Sequence, residues 1–249
     1  MTELDLLIDL HRNSERQGPG SDKETLKALD LTGLQNKKDM HIADIGCGTG
    51  GPTLALALRT GGHFTAVDLF SQFLEELNQK AKRIGLSRNI TTLEASMDEL
   101  PFEKNHFDLI WSEGAVYNIG FETGITMWRD YLKPGGCLAV SELTWISLSR
   151  PKEIEEFWTR EYPEIDLASN KIRILEENGY TLTGYFYLSE KSWIENYYKP
   201  LEADFRFFLE RHNYSGLAKK VVHDQREEMN LYQTYHEHYS YGFYIARKS

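Results

Sequence analysis

Residues 42–51 read IADIGCGTGG, and the reading of this stretch decides the fold. Met40 to Ile45 is an apolar run suited to the end of a buried parallel strand, and Pro52 to Leu58 reads as a helix with proline in its first turn. Between them Gly46, Gly48 and Gly50 allow a sharp turn and a close approach of backbone to a ligand, because none carries a Cβ. The helix N-terminus would then present unpaired N–H groups and the positive end of its dipole. A glycine triplet also serves purely structural turns, so its neighbours decide the reading. Asp44 stands at the C-terminal end of the strand, where ligands sit in open α/β sheets. The next strand-like run, His63 to Val67, ends in Asp68, at the distance expected of a carboxylate that grips ribose hydroxyls. Strand, loop, helix, strand and acid compose one mononucleotide-binding half.

The loop Asp44-Ile45-Gly46-Cys47-Gly48-Thr49-Gly50 is followed in order by Val67-Asp68, Leu100-Pro101-Phe102, Phe107-Asp108-Leu109-Ile110 and Leu132-Lys133-Pro134-Gly135-Gly136. This series resembles the class I S-adenosylmethionine-dependent methyltransferases of small-molecule type, in particular the ubiquinone/menaquinone methyltransferase-like group. The resemblance implies S-adenosylmethionine as cofactor and S-adenosylhomocysteine as product. It implies that the backbone from Gly46 through Cys47 and Gly48 to Gly50 holds the amino-acid tail, that Asp44 supports that tail, and that Asp68 takes the ribose. Adenine would lie between Leu69 and Ala95-Ser96-Met97-Asp98. Many relatives have Asp where Ser96 stands, so Ser96 or Asp98 would receive the adenine amino group. Dinucleotide dehydrogenases prefer G-x-G-x-x-G with an apolar residue in place of Asp44. An NAD-type Rossmann oxidoreductase and a noncatalytic S-adenosylmethionine-binding regulatory protein stand as the alternatives.

Composition narrows the partners. The formal net charge of −10 repels a polyanion, no Lys/Arg cluster offsets it, and no Pro-Pro pair of the kind found in nucleic-acid amino-methyltransferases is present. We therefore expect a small-molecule substrate and no nucleic acid. No apolar run reaches membrane-span length and the N-terminus lacks a signal-type pattern, so a cytoplasmic protein without an integral membrane segment is expected. An exposed aromatic cap would also make an oligomer face. Cys47 and Cys137 lack metal-ligand spacing, and His236 and His238, two apart on a helix, point to different sides, so no metal is expected.

Alternation of strand and helix predicts an α/β fold: a Rossmann-like, doubly wound, seven-stranded, mainly parallel sheet with an antiparallel last strand and a helical cap. The periodicity predicts helices over Phe70 to Ile84, Phe121 to Leu132 and residues 215–238, a fifth strand from Leu138 to Leu143, and helical segments after Ser189 interrupted at Pro200. All 249 residues are read as one domain, with the core at about 36–142 and 169–249 and the cap from 1–35, 143–168 and 189–214. Residues Asn13 to Gly20, NSERQGPG, form a loop. In relatives a similar R-x-G-P-G-S element folds over the cofactor, while an ordinary linker is the simpler reading.

Glu113, after the fourth strand, is the first catalytic candidate and also a cofactor-binding one, by accepting from the donor's ammonium, binding the substrate or acting as a base; interaction with a helix dipole is its structural alternative. Tyr117 is the second, with Asn118 beside it. Trp145, Trp158, Tyr162, Trp193 and Tyr197 are candidates for holding an apolar or aromatic substrate, or a cationic one by cation–π contact; packing of cap on sheet is their structural alternative.

Overall fold

The computed structural model describes residues 1–249. Four parallel strands, β1 (His41–Ile45), β2 (His63–Asp68), β3 (Ile90–Glu94) and β4 (Phe107–Glu113), are joined by β5 (Leu132–Trp145), β6 (Asp166–Leu167), β7 (Tyr180–Tyr187) and β8 (Tyr239–Lys248). The sheet order is β3-β2-β1-β4-β5-β8-β7, with the two-residue β6 beside β5. β8 runs antiparallel to both β5 and β7. The expected doubly wound sheet with an inserted antiparallel last strand is therefore present. Because the chain leaves β1 toward β2 and β3 and returns to place β4 on the other side of β1, a crevice opens at the C-terminal ends of β1 and β4.

The helices α1 (Glu3–His11), α2 (Asp22–Thr32), α3 (Gly51–Thr60), α4 (Ser71–Arg83), α5 (Phe121–Arg129), α6 (Lys152–Glu161) and α7 (Ala168–Glu177) precede α8 (Glu190–Trp193), α9 (Lys199–Arg211) and α10 (Gly216–Tyr235). One sheet face buries Ile42, Leu109, Trp111 and Phe243 beneath α2, α3 and α4. The other buries Ile110, Val140 and Tyr244 beneath α5 and α7. A third cluster joins Leu6 of α1, Trp145, Trp193, Phe205 and Phe208 to Val222 and Tyr232 of α10. Two assignments thus change. α10 packs in the cap rather than the core, because Ala218, Val221, Val222, Met229 and Tyr232 face the aromatic cluster; α2 leaves the cap, because Ala28 and Leu29 seat it on the sheet.

Boundaries shift for local reasons. α5 ends at Arg129, and β5 starts at Leu132, so Lys133 to Gly136 lies within the strand. Pro200 does not interrupt the helices: a π turn, Ile194–Tyr198, feeds α9, and Pro200 occupies its first turn, where a missing N–H costs little. No helix is long and apolar enough to cross a membrane.

The base of the crevice strands is held by Asp108, buried in β4. Its carboxylate accepts from Lys37 at 2.7 Å, Lys133 at 2.8 Å and the His41 backbone at 2.9 Å, tying the entry to β1 and the start of β5 to β4. Burial pushes the carboxyl up, but the bonds from Lys133 and Lys37 prevail and hold it down at about 2. The unfolded chain, titrating near 4, takes up a proton first as pH falls, so this contribution is present at neutral pH and lost between about pH 5 and 2. Asp108→Asn should cost about 1–2 kcal/mol at pH 7, screening by the half-exposed lysines included, and much less near pH 2. Urea unfolding at both pH values checks this; an equal loss at both would contradict it.

Candidate cofactor and active site

The glycine loop turns where it does because three of its residues adopt left-handed backbone: Gly46 at φ 76°, Gly48 at 53° and Gly50 at 85°. The space around it is equally demanding. A Cβ on Gly46 would lie 2.3 Å from the Ala115 methyl, and one on Gly48 would lie 2.1 Å from Gln17 Oε1. The N–H groups of Gly46 to Gly50 are all engaged within the protein. Gly46 and Cys47 both donate to the Val67 carbonyl at 2.9 Å, and Gly50 donates to Cys47. Gly48 donates to Asp68 Oδ2 at 2.8 Å, and Thr49 donates to Gln17 Oε1 at 2.7 Å.

Gln17 belongs to the segment joining α1 to α2, which lies across the loop as a strap. Its side-chain amide donates to Thr49 Oγ1 at 3.1 Å and to the His11 carbonyl at 3.1 Å, and Lys80 of α4 reaches Thr49 Oγ1 at 2.8 Å. The next anchor is Arg16, which donates to Glu113 Oε2 at 2.8 Å with both side chains under one-tenth exposed. Glu113 Oε1 accepts from Thr25 at 2.6 Å and from the Trp111 indole at 2.9 Å. Both oxygens are hydrogen-bonded, and Glu113 ties the strap to β4 and α2 at the cavity wall. Of the two sequence readings for residues 13–20, the geometry matches the element folded over the crevice.

Between strap and sheet lies a cavity of about 450 Å³. It is lined by Gly46, Cys47, Gly48, Asp68, Leu69, Ser96, Met97, Glu113 and Tyr117 among the sequence candidates, and by Arg16, Gln17 and Pro19 of the strap. Leu69 is 57% exposed, an apolar side chain at the cavity with nothing packed over it. The Ser96 hydroxyl donates to Asp98, another lining residue, and Met97 is fixed by its carbonyl accepting from the Trp128 indole at 3.0 Å. Asp68 is buried, which pushes its carboxyl up despite bonds from the Phe70 and Gly48 backbones.

Two cofactor candidates sit off the cavity wall. Gly50 packs against α4, where a Cβ would lie 2.1 Å from Leu77 Cδ1. Asp44 is 1% exposed beneath the loop; its Oδ2 accepts from Thr53, while its Oδ1 has no partner. Burial, only partly offset by the Thr53 bond, pushes this carboxyl up to about 7.

None of the five substrate candidates lines the cavity. Trp145, Trp193 and Tyr197 are buried in the cap cluster, with Trp158 and Tyr162 packed against it. Trp158 meets Tyr239 at 5.2 Å between ring centres, and Trp193 stacks on Tyr232 at 4.3 Å. Their helical spacing reflects packing of cap on sheet. Tyr162 comes nearest the site, edge-on to Tyr117 at 6.0 Å. Sequence reasoning missed Arg16 and Gln17 as individual site residues, for which only the R-x-G-P-G pattern gave a signal.

Residues 42–136 match the family model described as a methyltransferase domain. The chain is 29% identical over 144 residues to a sterol 24-C-methyltransferase of Gibberella zeae, covering 57% of this chain and 34% of that protein. It is 30% identical over 119 residues to a ubiquinone/menaquinone biosynthesis C-methyltransferase of Psychromonas ingrahamii, covering 47% of each. The chain therefore spans half or less of the length of these curated relatives. The crystal structure of a SAM-dependent methyltransferase from Geobacter sulfurreducens in complex with S-adenosyl-L-homocysteine superposes with a TM-score of 0.82 at 18% identity, covering 99% of this chain and 98% of that one. The oxidoreductase alternative gains no support. The D-x-G-x-G-x-G loop, the acid ending β2, the sheet order and these matches together make the chain similar to the class I S-adenosylmethionine-dependent methyltransferases, with the methyltransferase-domain match spanning residues 42–136.

Proposed function

We propose that this protein is an enzyme that transfers a methyl group from S-adenosylmethionine to a small molecule, with the cavity beneath the strap as the donor site. The observation that carries the reading is the cavity itself. It is walled by the Gly46–Gly48 turn on one side and by Leu69 and Met97 on another, with a ribose-type acid, Asp68, between them. The residues fit the donor on chemical grounds. Asp68 retains lone pairs for hydroxyl donors, and the uncovered Leu69 face suits a purine. The unpartnered Asp44 Oδ1 asks for a cation or a donor, which an amino-acid ammonium supplies.

When bound, the donor supplies an electrophilic methyl group on a positively charged sulfur. The protein's own work is alignment and exclusion of water, and closure of the strap through Arg16, Gln17 and Thr49 serves both. With both Glu113 oxygens engaged, this residue holds the wall rather than taking a proton.

Asp68→Ala should weaken S-adenosylhomocysteine binding at least about thirtyfold, through loss of hydroxyl acceptors and of the Gly48 anchor, each of order 1 kcal/mol or more. Isothermal titration checks this, and unchanged affinity would remove Asp68 from the site.

A second outcome concerns protons. Asp44, raised to about 7, is largely protonated below that pH in the free protein, and a bound ammonium favours its ionised form. Binding near pH 6 should then release a proton, with affinity rising toward pH 8, and Asp44→Asn should abolish the release. Titrations in buffers of different ionisation enthalpy measure it; proton release undiminished in the variant would assign it elsewhere.

A further inference from the structure

The chain just past β4 supplies one part of the cavity wall: Gly114, Ala115, Tyr117, Asn118 and Ile119 line it, and Pro19 of the strap also reaches the wall. Ala115 presses on Gly46, so this part adjoins the glycine turn. Asp68 at the end of β2 and Asp98 after β3 lie beyond it, because β1 stands between β4 and those strands. A cavity of about 450 Å³ is near the small end of ligand pockets, so beside a nucleotide it leaves room only for a small second molecule.

Six side chains on the wall can ionise, namely Arg16, Cys47, Asp68, Asp98, Glu113 and Tyr117, and no lysine or histidine lines it. Asp68 accepts from the Gly48 and Phe70 backbones, and Asp98 accepts from Ser96. Burial pushes the Cys47 thiol up, and its sulfur donates to the Gly48 carbonyl. Glu113 accepts from Arg16 on one oxygen and from Thr25 and Trp111 on the other. Near the end of β4 there remain Tyr117, a phenol at neutral pH, and Asn118. The Asn118 Nδ2 donates to the Ala115 carbonyl at 2.9 Å, and its Oδ1 accepts hydrogen bonds but does not ionise. This part of the wall offers hydrogen bonds and apolar surface, with no group placed to take a proton.

A nucleophile bound there must bring its own lone pair. At pH 7 ordinary ionisation leaves roughly 3% of a thiol as thiolate, but only about 0.1% of a phenol and roughly 0.04% of an alkylamine in the reactive form. The thiolate is also intrinsically the strongest nucleophile of the three.

We propose that the β4 end of the cavity, between Pro19 and residues 115–119, is the acceptor subsite, and that its acceptor is a small apolar thiol reacting as its own thiolate. This deepens the methyl-transfer reading and rests on it. The thiol gives its proton to solvent before it meets the donor. Its sulfur lone pair then forms the new S–CH3 bond as the donor's S–CH3 bond breaks, and the bonding pair of the broken bond stays on the donor sulfur. The negative and positive charges cancel, and two neutral thioethers leave. Tyr117 donates its hydroxyl to the thiolate and so favours the ionised form, while Pro19, Ala115 and Ile119 face the carbon skeleton.

The test gives the full chain S-adenosylmethionine with phenylmethanethiol, 4-methylphenol or benzylamine, probes of one size, and measures S-adenosylhomocysteine with the protein-free rate subtracted. At pH 7 kcat/KM for the thiol should exceed that for either other probe at least about tenfold, and should rise with pH toward about 8.5 as thiolate forms. The more acidic benzenethiol should move that rise to lower pH, because the titrating group belongs to the acceptor. Tyr117→Phe should lower kcat/KM for the thiol about threefold or more and move the rise to higher pH, with S-adenosylhomocysteine affinity within about twofold. In protein that binds S-adenosylhomocysteine, no turnover of the thiol, equal turnover of the three probes, or one pH profile for both thiols would overturn the thiol assignment alone. A Tyr117→Phe profile equal to wild type would overturn the part given to Tyr117. Failure to bind S-adenosylhomocysteine would instead overturn the donor reading, and the thiol assignment with it.

Discussion

The carboxylate of Glu113 is the point on which the site depends. It stands at the end of β4 and collects three donors from three places: the indole of Trp111 in its own strand, the hydroxyl of Thr25 in α2, and the guanidinium of Arg16 in the strap. Through Arg16 the strap is drawn down, which brings Gln17 onto Gly48 and Thr49. Arg16 also donates to Asp22 at 2.9 Å and to Thr25 at 3.1 Å, so strap, α2 and cavity wall are held as one network.

A second consequence follows from the loop's own bonding. All five N–H groups from Gly46 to Gly50 are satisfied within the protein. The glycines are needed for left-handed turns and for close contact with Ala115, Gln17 and Leu77, so the loop offers a donor molecule a tightly shaped surface more than a nest of free N–H groups. On the proposed reading, charge recognition falls to side chains around and beneath it: Asp68 on the wall, and Asp44 below with one oxygen unmatched. That division explains why Asp44 can be at the right place in sequence and still lie off the cavity surface.

What the sequence made legible was local and periodic. The strand–loop–helix unit around Gly46 and the acid at Asp68 follow from residues within thirty positions of one another, and the alternation of elements fixes the doubly wound sheet. Aromatic spacing in the cap was legible as helix but not as function: Trp145, Trp193 and Tyr197 pack among themselves, and the same pattern would arise for a binding wall or a core. The hold of Gln17 on Thr49 could not be found this way, because the two residues stand 32 positions apart. The Glu113–Arg16 pair spans 97 residues and likewise has no local trace.

The central claim is that the cavity under the strap is a site for a sulfonium nucleotide, and parallel calorimetric titration with S-adenosylhomocysteine and NAD tests it most directly. One-to-one binding of S-adenosylhomocysteine with no heat from NAD is the result expected here. Binding of NAD without S-adenosylhomocysteine would contradict the account, and would make Asp68 the ribose ligand of a dinucleotide.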